Sequence, residues 1–206
     1  MIESKIEGLF PTPIYIAQFD RDFNEKEIQF VRDQQQKCHT NIGNVHTKDS
    51  YVLNNPAFKN IKSFLEQCCA DYLKKIICPK NDISLYITQS WINYTKQNQF
   101  HHMHNHPNSI VSGVFYIDCD EETDQIQFST FDRKQQIKPS ILNYNKWNSD
   151  TWWLPSKKGK LIMFPSSTIH QVNPKTSSGL RVSLSFNTFY SGKLAEDKDL
   201  SQLVLN

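Results

Sequence analysis

The spacing of apolar side chains changes near residue 84, and that change limits the folds open to this chain. Beyond it come short runs rich in β-branched and aromatic residues: Ser84–Thr95, Ile110–Ile117, Ile126–Thr130, Thr151–Leu154, Leu161–Phe164 and Leu180–Tyr190. Where apolar and polar residues alternate, the period of two marks a strand with one buried face. Loops bearing Asn, Ser and Pro separate the runs. Several short strands at this spacing predict an all-β barrel or sandwich.

Before residue 84 the period is helical. Asn24 with Glu27 three residues on predicts a capping box opening a helix to about Lys37. The stretch from there to Asn55 is polar and poorly periodic and reads as loop. Asn55-Pro56 then opens a second helix, with Phe58, Ile61, Leu65, Cys68, Tyr72 and Ile76 three or four apart on one buried stripe. The expectation is a single domain over 1–206. Residues 1–80 form a helical support layer after an extended Phe10–Phe19, 84–190 form the β core, and 191–206 form a loose tail. At 206 residues, 38% hydrophobic and 21% charged, the chain has the composition of one globular domain.

Composition also narrows function. The net charge is +2, with basic and acidic residues interleaved, so no basic stripe points to nucleic acid. No apolar run approaches the roughly 20 residues that span a bilayer. The N-terminus lacks the pattern of a secretory signal. Five cysteines form no CxxC pair, and adjacent Cys68 and Cys69 suit free thiols in a reducing compartment, so the expected location is cytoplasmic. The sequon at Asn93 lies inside a predicted strand and reads as chance. Phosphate-cradling glycine loops and a GxSxG elbow are missing from the sequence.

Histidines carry the chemistry. Five of the seven lie in His101-His102-Met103-His104-Asn105-His106 and at His170. In a regular extended chain His102, His104 and His106 share a side and His101 points away. Imidazole is the commonest protein ligand for zinc, iron and copper. A stable site needs a third ligand from another strand, and His170, at the end of Leu161–His170, is a candidate for it, a packed or surface histidine being the alternative. The alternative is a solvent-facing histidine run. Eleven residues beyond His170 comes Arg181, in Arg181-Val182-Ser183-Leu184-Ser185-Phe186-Asn187. Its alternation puts Val182, Leu184 and Phe186 on a packed face and Arg181, Ser183, Ser185 and Asn187 on a polar one. An arginine beside a serine there makes a pincer for a ligand carboxylate. The polar stretch Asp132–Asp150 reads as a loop over one end. Trp147, Trp152 and Trp153 read as packing residues, with a lid or substrate wall as the alternative.

Taken in order, Gly8-Leu-Phe-Pro-Thr-Pro-Ile, Trp91-Ile-Asn93, His104-Asn-His106-Pro-Asn-Ser-Ile-Val-Ser112-Gly-Val-Phe-Tyr116-Ile, Phe164-Pro-Ser-Ser-Thr-Ile-His170 and Arg181-Val-Ser183-Leu-Ser-Phe-Asn187 resemble the Fe(II)/2-oxoglutarate-dependent oxygenases. More narrowly, the chain is similar to a bacterial and phage group within that superfamily. The resemblance implies a double-stranded β-helix, a jelly-roll or cupin-like barrel, with supporting N-terminal helices. It implies Fe(II) on His104, His106 and His170. It implies 2-oxoglutarate on Arg181 and Ser183, with Tyr116 and Asn93 reaching the same ligand. O2 is the co-substrate, ascorbate an accessory reductant, and the reaction hydroxylation of a small molecule or a protein side chain. One departure stands out. The superfamily usually shows His-x-Asp/Glu, and His106 occupies the acid's position. Three neutral imidazoles leave the full +2 on a metal, where a carboxylate would leave about +1. Two rivals follow: a cupin-like metal enzyme that does not use 2-oxoglutarate, and a non-catalytic metal- or ligand-binding barrel.

Overall fold

The computed structural model describes residues 2–130, 137 and 139–205. After β1 (Tyr15–Gln18) comes α1 (Glu25–Gln35). The Asn24 side chain accepts from the Glu27 N–H, and the Glu27 carboxylate accepts from the Asn24 N–H, so the expected capping box is present. Two three-residue strands follow, β2 (Cys38–Thr40) and β3 (Val45–Thr47), where the sequence predicted loop. They are too short to show alternation, and each depends on its neighbour: β2 pairs β3, and β3 pairs the strand after the helices. The second helix, α2 (Lys59–Tyr72), runs on into a π turn over Leu73–Ile77. That turn shifts the helical phase, so Ile76, expected on the buried stripe, is exposed while Ile77 packs on the core.

The barrel comprises β4 (Ile83–Thr95), β5 (His101–His104), β6 (Val111–Asp118), β7 (Gln125–Ser129), β8 (Thr151–Pro155), β9 (Lys160–Pro165), β10 (Ile169–Val172) and β11 (Arg181–Leu194). The last strand, β12 (Leu203–Leu205), pairs back onto the end of β11. The C-terminal segment expected to be loose is therefore partly sheet, because β11 continues four residues past Tyr190 and offers an edge. All ladders between named strands are antiparallel. The major sheet has the order β1-β9-β6-β11-β4-β3-β2, with β12 on β11, and the minor sheet the order β5-β10-β7-β8. From β4 to β11 the chain passes between the two sheets as a double-stranded β-helix does.

The outer face of the major sheet carries Ile92, Tyr94, Phe115, Leu161, Val182, Leu184 and Phe186, packed against Phe30, Phe58, Ile61, Leu65 and Tyr72 of the helical layer. The Tyr94 hydroxyl donates to the Val31 carbonyl at 2.6 Å and ties β4 to α1. With one face so committed, alternation turns Trp91, Asn93, Thr95, Arg181, Ser183 and Ser185 inward, toward the minor sheet. A second apolar cluster, Tyr116, Ile126, Phe128, Ile162 and Phe164, spaces the sheets apart.

Candidate metal and anion site

A cavity between the sheets is lined from the minor sheet by His101, His104, His170 and Val172, and from the major sheet by the inward row of β4, β6 and β11. His104 ends β5 directly opposite His170 of β10. His106 lies two residues beyond β5, where its backbone N–H donates to the Ser166 carbonyl at 2.9 Å. The donor atoms of these three rings lie within 4.8 Å of one another, and His106 Nε2 is 3.4 Å from His170 Nε2.

The rings are held from behind. His104 Nδ1 is 2.7 Å from the His102 carbonyl, and His170 Nδ1 is 3.0 Å from the Thr168 carbonyl. A carbonyl only accepts, so each Nδ1 carries the proton and each Nε2 offers its lone pair. Burial pushes the His170 imidazole down to about 3, with the neighbouring His104 adding to it. Burial likewise pushes His106 down to about 4 and lowers His104. All three are therefore neutral near pH 7, the state that binds a metal. In donor type, convergence and protonation, the set fits a divalent transition metal.

Two neighbours depart from the sequence reading. His101, expected to point away, lines the cavity and stacks on His104 with ring centroids 4.5 Å apart. His102, expected to share the ligand side, does not line it. The cause is a register shift: His104 faces His170 and His101 faces Val172, so three residues on β5 span two on β10. A bulge of this kind reverses the alternation within the strand. Burial pushes His101 down to about 3 as well.

The other end of the cavity is ionic. Arg181 Nη1 donates to Asp124 Oδ1 at 3.2 Å, and Lys175 Nζ donates to Asp124 Oδ2 at 3.0 Å and to Ser177 Oγ at 2.6 Å. The three side chains are 5%, 1% and 1% exposed for Arg181, Lys175 and Asp124. One carboxylate between two cations leaves a buried excess of one positive charge, and most of the guanidinium's five N–H donors remain free for a ligand. This end fits a carboxylate. Sequence reasoning missed Asp124 and Lys175. Both lie in loops, where no local pattern distinguishes them from surface charges.

Between the two ends, Asn93, Ser183 and Tyr116 are register partners across β4, β11 and β6. All three line the cavity, and burial pushes the Tyr116 phenol up to about 12. Asn93 donates through Nδ2 to Ser185 Oγ at 3.0 Å, while its buried Oδ1 has no partner. Trp91, one row nearer the histidines, sits 6.1 Å from the His106 ring. Asn44, from the turn between β2 and β3, also reaches the cavity and was not foreseen.

Trp152, half-buried, stacks on Trp153 at 5.5 Å, and Trp153 and Trp147 are about half exposed. The loop expected over Asp132–Asp150 falls partly outside the described residues, which leave out 131–136 and 138.

Residues 89–187 match the family described as "Putative 2OG-Fe(II) oxygenase". That segment, just under half of the chain, is similar to the 2OG-Fe(II) oxygenases. It contains the barrel strands β4 to β11 except Ile83–Thr88 of β4 and Thr188–Leu194 of β11, and it holds all three converging histidines and Arg181. Solved structures share the fold at low identity. The epimerase SnoN from nogalamycin biosynthesis, in complex with Fe3+, alpha ketoglutarate and nogalamycin RO, is similar at a TM-score of 0.59 and 9% identity, covering 87% of this chain and 81% of that one. HygX from Streptomyces hygroscopicus, with nickel, 2-oxoglutarate and hygromycin B bound, gives 0.56 and 10%, covering 86% and 82%. A Pseudomonas putida prolyl-4-hydroxylase gives 0.54 and 14%, covering 85% and 92%. No curated protein matches the chain in sequence. Among the described residues no helix is long and apolar enough to cross a membrane.

Proposed function

We propose that the protein is a non-haem Fe(II)- and 2-oxoglutarate-dependent oxygenase acting as a hydroxylase, with a three-histidine metal site of His104, His106 and His170. The observation that carries this reading is the pairing within one cavity of three converging neutral imidazoles and a buried, undercompensated Arg181–Asp124–Lys175 cluster. A 2-oxo acid with a second carboxylate has a metal-chelating head and an anionic tail, and these two ends suit it. When bound, iron and 2-oxoglutarate supply the activation of O2 needed to oxidise an unreactive C–H bond.

The chain's own residues bind, orient and shield. Arg181 takes the distal carboxylate, and Ser183 adds a hydroxyl donor from the same strand face. Tyr116, kept protonated by burial, donates its O–H to the same ligand, and Asn93 contributes its amide from the neighbouring strand. Carbonyls behind His104 and His170 hold both rings in the ligating tautomer. Phe164, with its ring 4.6 Å from that of His170, excludes water from one side of the metal position. His106 in place of an acid leaves the site one positive charge richer, and the 2-oxoglutarate dianion offsets part of it. A cupin-like enzyme without 2-oxoglutarate gives no role to the buried cation excess. The substrate is a small molecule or a protein side chain, and the protein works in the cytoplasm.

The test is anaerobic titration of metal-stripped protein with Fe(II) and 2-oxoglutarate, following the weak visible charge-transfer absorption of a chelated 2-oxo acid. The absorption is expected in the wild type, lost in His170→Ala and weakened in Arg181→Ala. Stoichiometric metal binding without any such absorption would overturn the 2-oxoglutarate reading.

A further inference from the structure

Asn44 lies outside the family-matching segment 89–187, in the turn of the β2–β3 hairpin, yet its side chain lines the central cavity and is 3% exposed. The turn is tightly determined. Asn41 N–H donates to the Asn44 carbonyl at 2.9 Å, and Phe100 N–H donates to the Gly43 carbonyl at 3.0 Å. Gly43 has φ +90°, and a Cβ there would come within 2.7 Å of the Phe100 carbonyl oxygen. Only glycine meets both demands, so the turn presents Asn44 in one orientation.

That orientation leads to the ionic end of the cavity. Asn44 Nδ2 lies 3.4 Å from Thr95 Oγ1, and Thr95 is the register partner of Arg181. Asp124 engages the Arg181 guanidinium, and Asn44 reaches Thr95, which pairs with Arg181 from the neighbouring strand; both Asn44 and Arg181 line the same cavity. The second amide atom of Asn44, Oδ1, is buried and has no hydrogen-bond partner. A buried polar atom left so is costly unless a ligand meets it. The threonine hydroxyl both donates and accepts, so the amide can turn over, bond Thr95 through Oδ1 and offer Nδ2–H to the cavity.

We infer that Asn44 is a ligand-binding residue: its amide donates to the carboxylate held by Arg181, and it selects 2-oxo acids that carry a second carboxylate. This rests on the 2-oxoglutarate reading above. The hairpin thereby completes a site that the barrel alone leaves open on the β4 side.

The experiment is calorimetric titration of Ni(II)-loaded protein with 2-oxoglutarate and, separately, with pyruvate, which has the 2-oxo acid head but no second carboxylate. Wild type, Asn44→Ala and Asn44→Asp are compared, and Ni(II) affinity and Tm are measured for each. Asn44→Ala is expected to weaken 2-oxoglutarate by about tenfold, the scale of one charged hydrogen bond. Asn44→Asp, of the same shape but facing the ligand with a like charge, is expected to weaken it further. Pyruvate and Ni(II) affinities stay within about twofold of wild type under the same scale. Unchanged 2-oxoglutarate affinity in both variants overturns this inference and leaves the cofactor reading standing. Equal losses for the two acids overturn it too, since the residue would then act on the fold or the metal. A wild type that takes Ni(II) but no 2-oxoglutarate overturns both readings.

Discussion

Asp124 holds two buried cations with one carboxylate, which also accepts from the Asp120 N–H at 2.9 Å. Replacing it by Asn keeps the shape and leaves Lys175 and Arg181 side by side without a counter-charge. Breaking a buried pair in this way typically costs about 3–5 kcal/mol. At roughly 2–4 °C per kcal/mol for a chain of this size, Asp124→Asn should lower Tm by roughly 10 °C. A Tm within about 2 °C of wild type, on the same scale, would show that the cluster contributes little. The imidazoles make a prediction of opposite origin. Their folded values lie below the ordinary histidine range, to about 3 for His170 and His101 and about 4 for His106, with burial the first cause. The unfolded chain takes up protons near pH 6.5 while the folded one does not. Stability of the metal-free protein is therefore full above about pH 6.5 and falls as the pH drops toward 3, by on the order of 1 kcal/mol per unit for each group. Denaturant melts at pH 7.5, 6 and 5 should show that decline, and a flat profile would mean the rings gain protons freely in the fold.

Elements place these residues, and one close contact sets how two strands lie. Gly113 of β6 is the register partner of Phe186 of β11, and a Cβ at Gly113 would overlap the Phe186 ring at 2.3 Å. Phe186 is fully buried under the helical layer, so it cannot swing into solvent. Gly113→Ala should cost about 1–3 kcal/mol by overpacking, read as a lower midpoint in urea, with the slope of the transition unchanged. An unchanged midpoint would mean the ring shifts freely. The long strands were legible in sequence because each buries one face: Val182, Leu184 and Phe186 alternate with Arg181, Ser183 and Ser185, and the structure divides them between helices and cavity accordingly. The grouping of His104, His106 and His170 was legible from the resemblance rather than from alternation, since His106 lies beyond β5 and the strand itself carries a register shift. The short strands were not. β2 and β3 have three residues each and owe their form to partners distant in sequence, so Asn44 stayed hidden with them. The side on which His101 falls depends on a bulge, a register event between β5 and β10 that no pattern within the histidine run records.

At the scale of the molecule, the two ends of the cavity belong to different sheets. His104 and His170 sit on the minor sheet, and Arg181 on the major one, backed by Asp124 and Lys175 from loops. A ligand chelated at one end and ion-paired at the other therefore clamps the sheets together, and its binding energy appears as stability of the whole fold. For a ligand at about 100 times its dissociation constant the gain is about 2.7 kcal/mol, or roughly 5–10 °C in Tm at this chain length. On the proposed site Ni(II) alone would engage only His106 and the minor sheet, so two separate ends predict two separable increments. Ni(II) should raise Tm, and 2-oxoglutarate should raise it again only when Ni(II) is present. In Arg181→Ala the first increment should survive and the second should shrink to under about 2 °C on that scale. In His170→Ala both should be lost, because the tail contact alone does not hold the acid. Differential scanning calorimetry of the three proteins with and without each ligand reads all of these terms. If 2-oxoglutarate stabilised the metal-free protein as much as the Ni(II) form, the acid would be bound by the cation cluster without the histidines, and the two ends would not be one site.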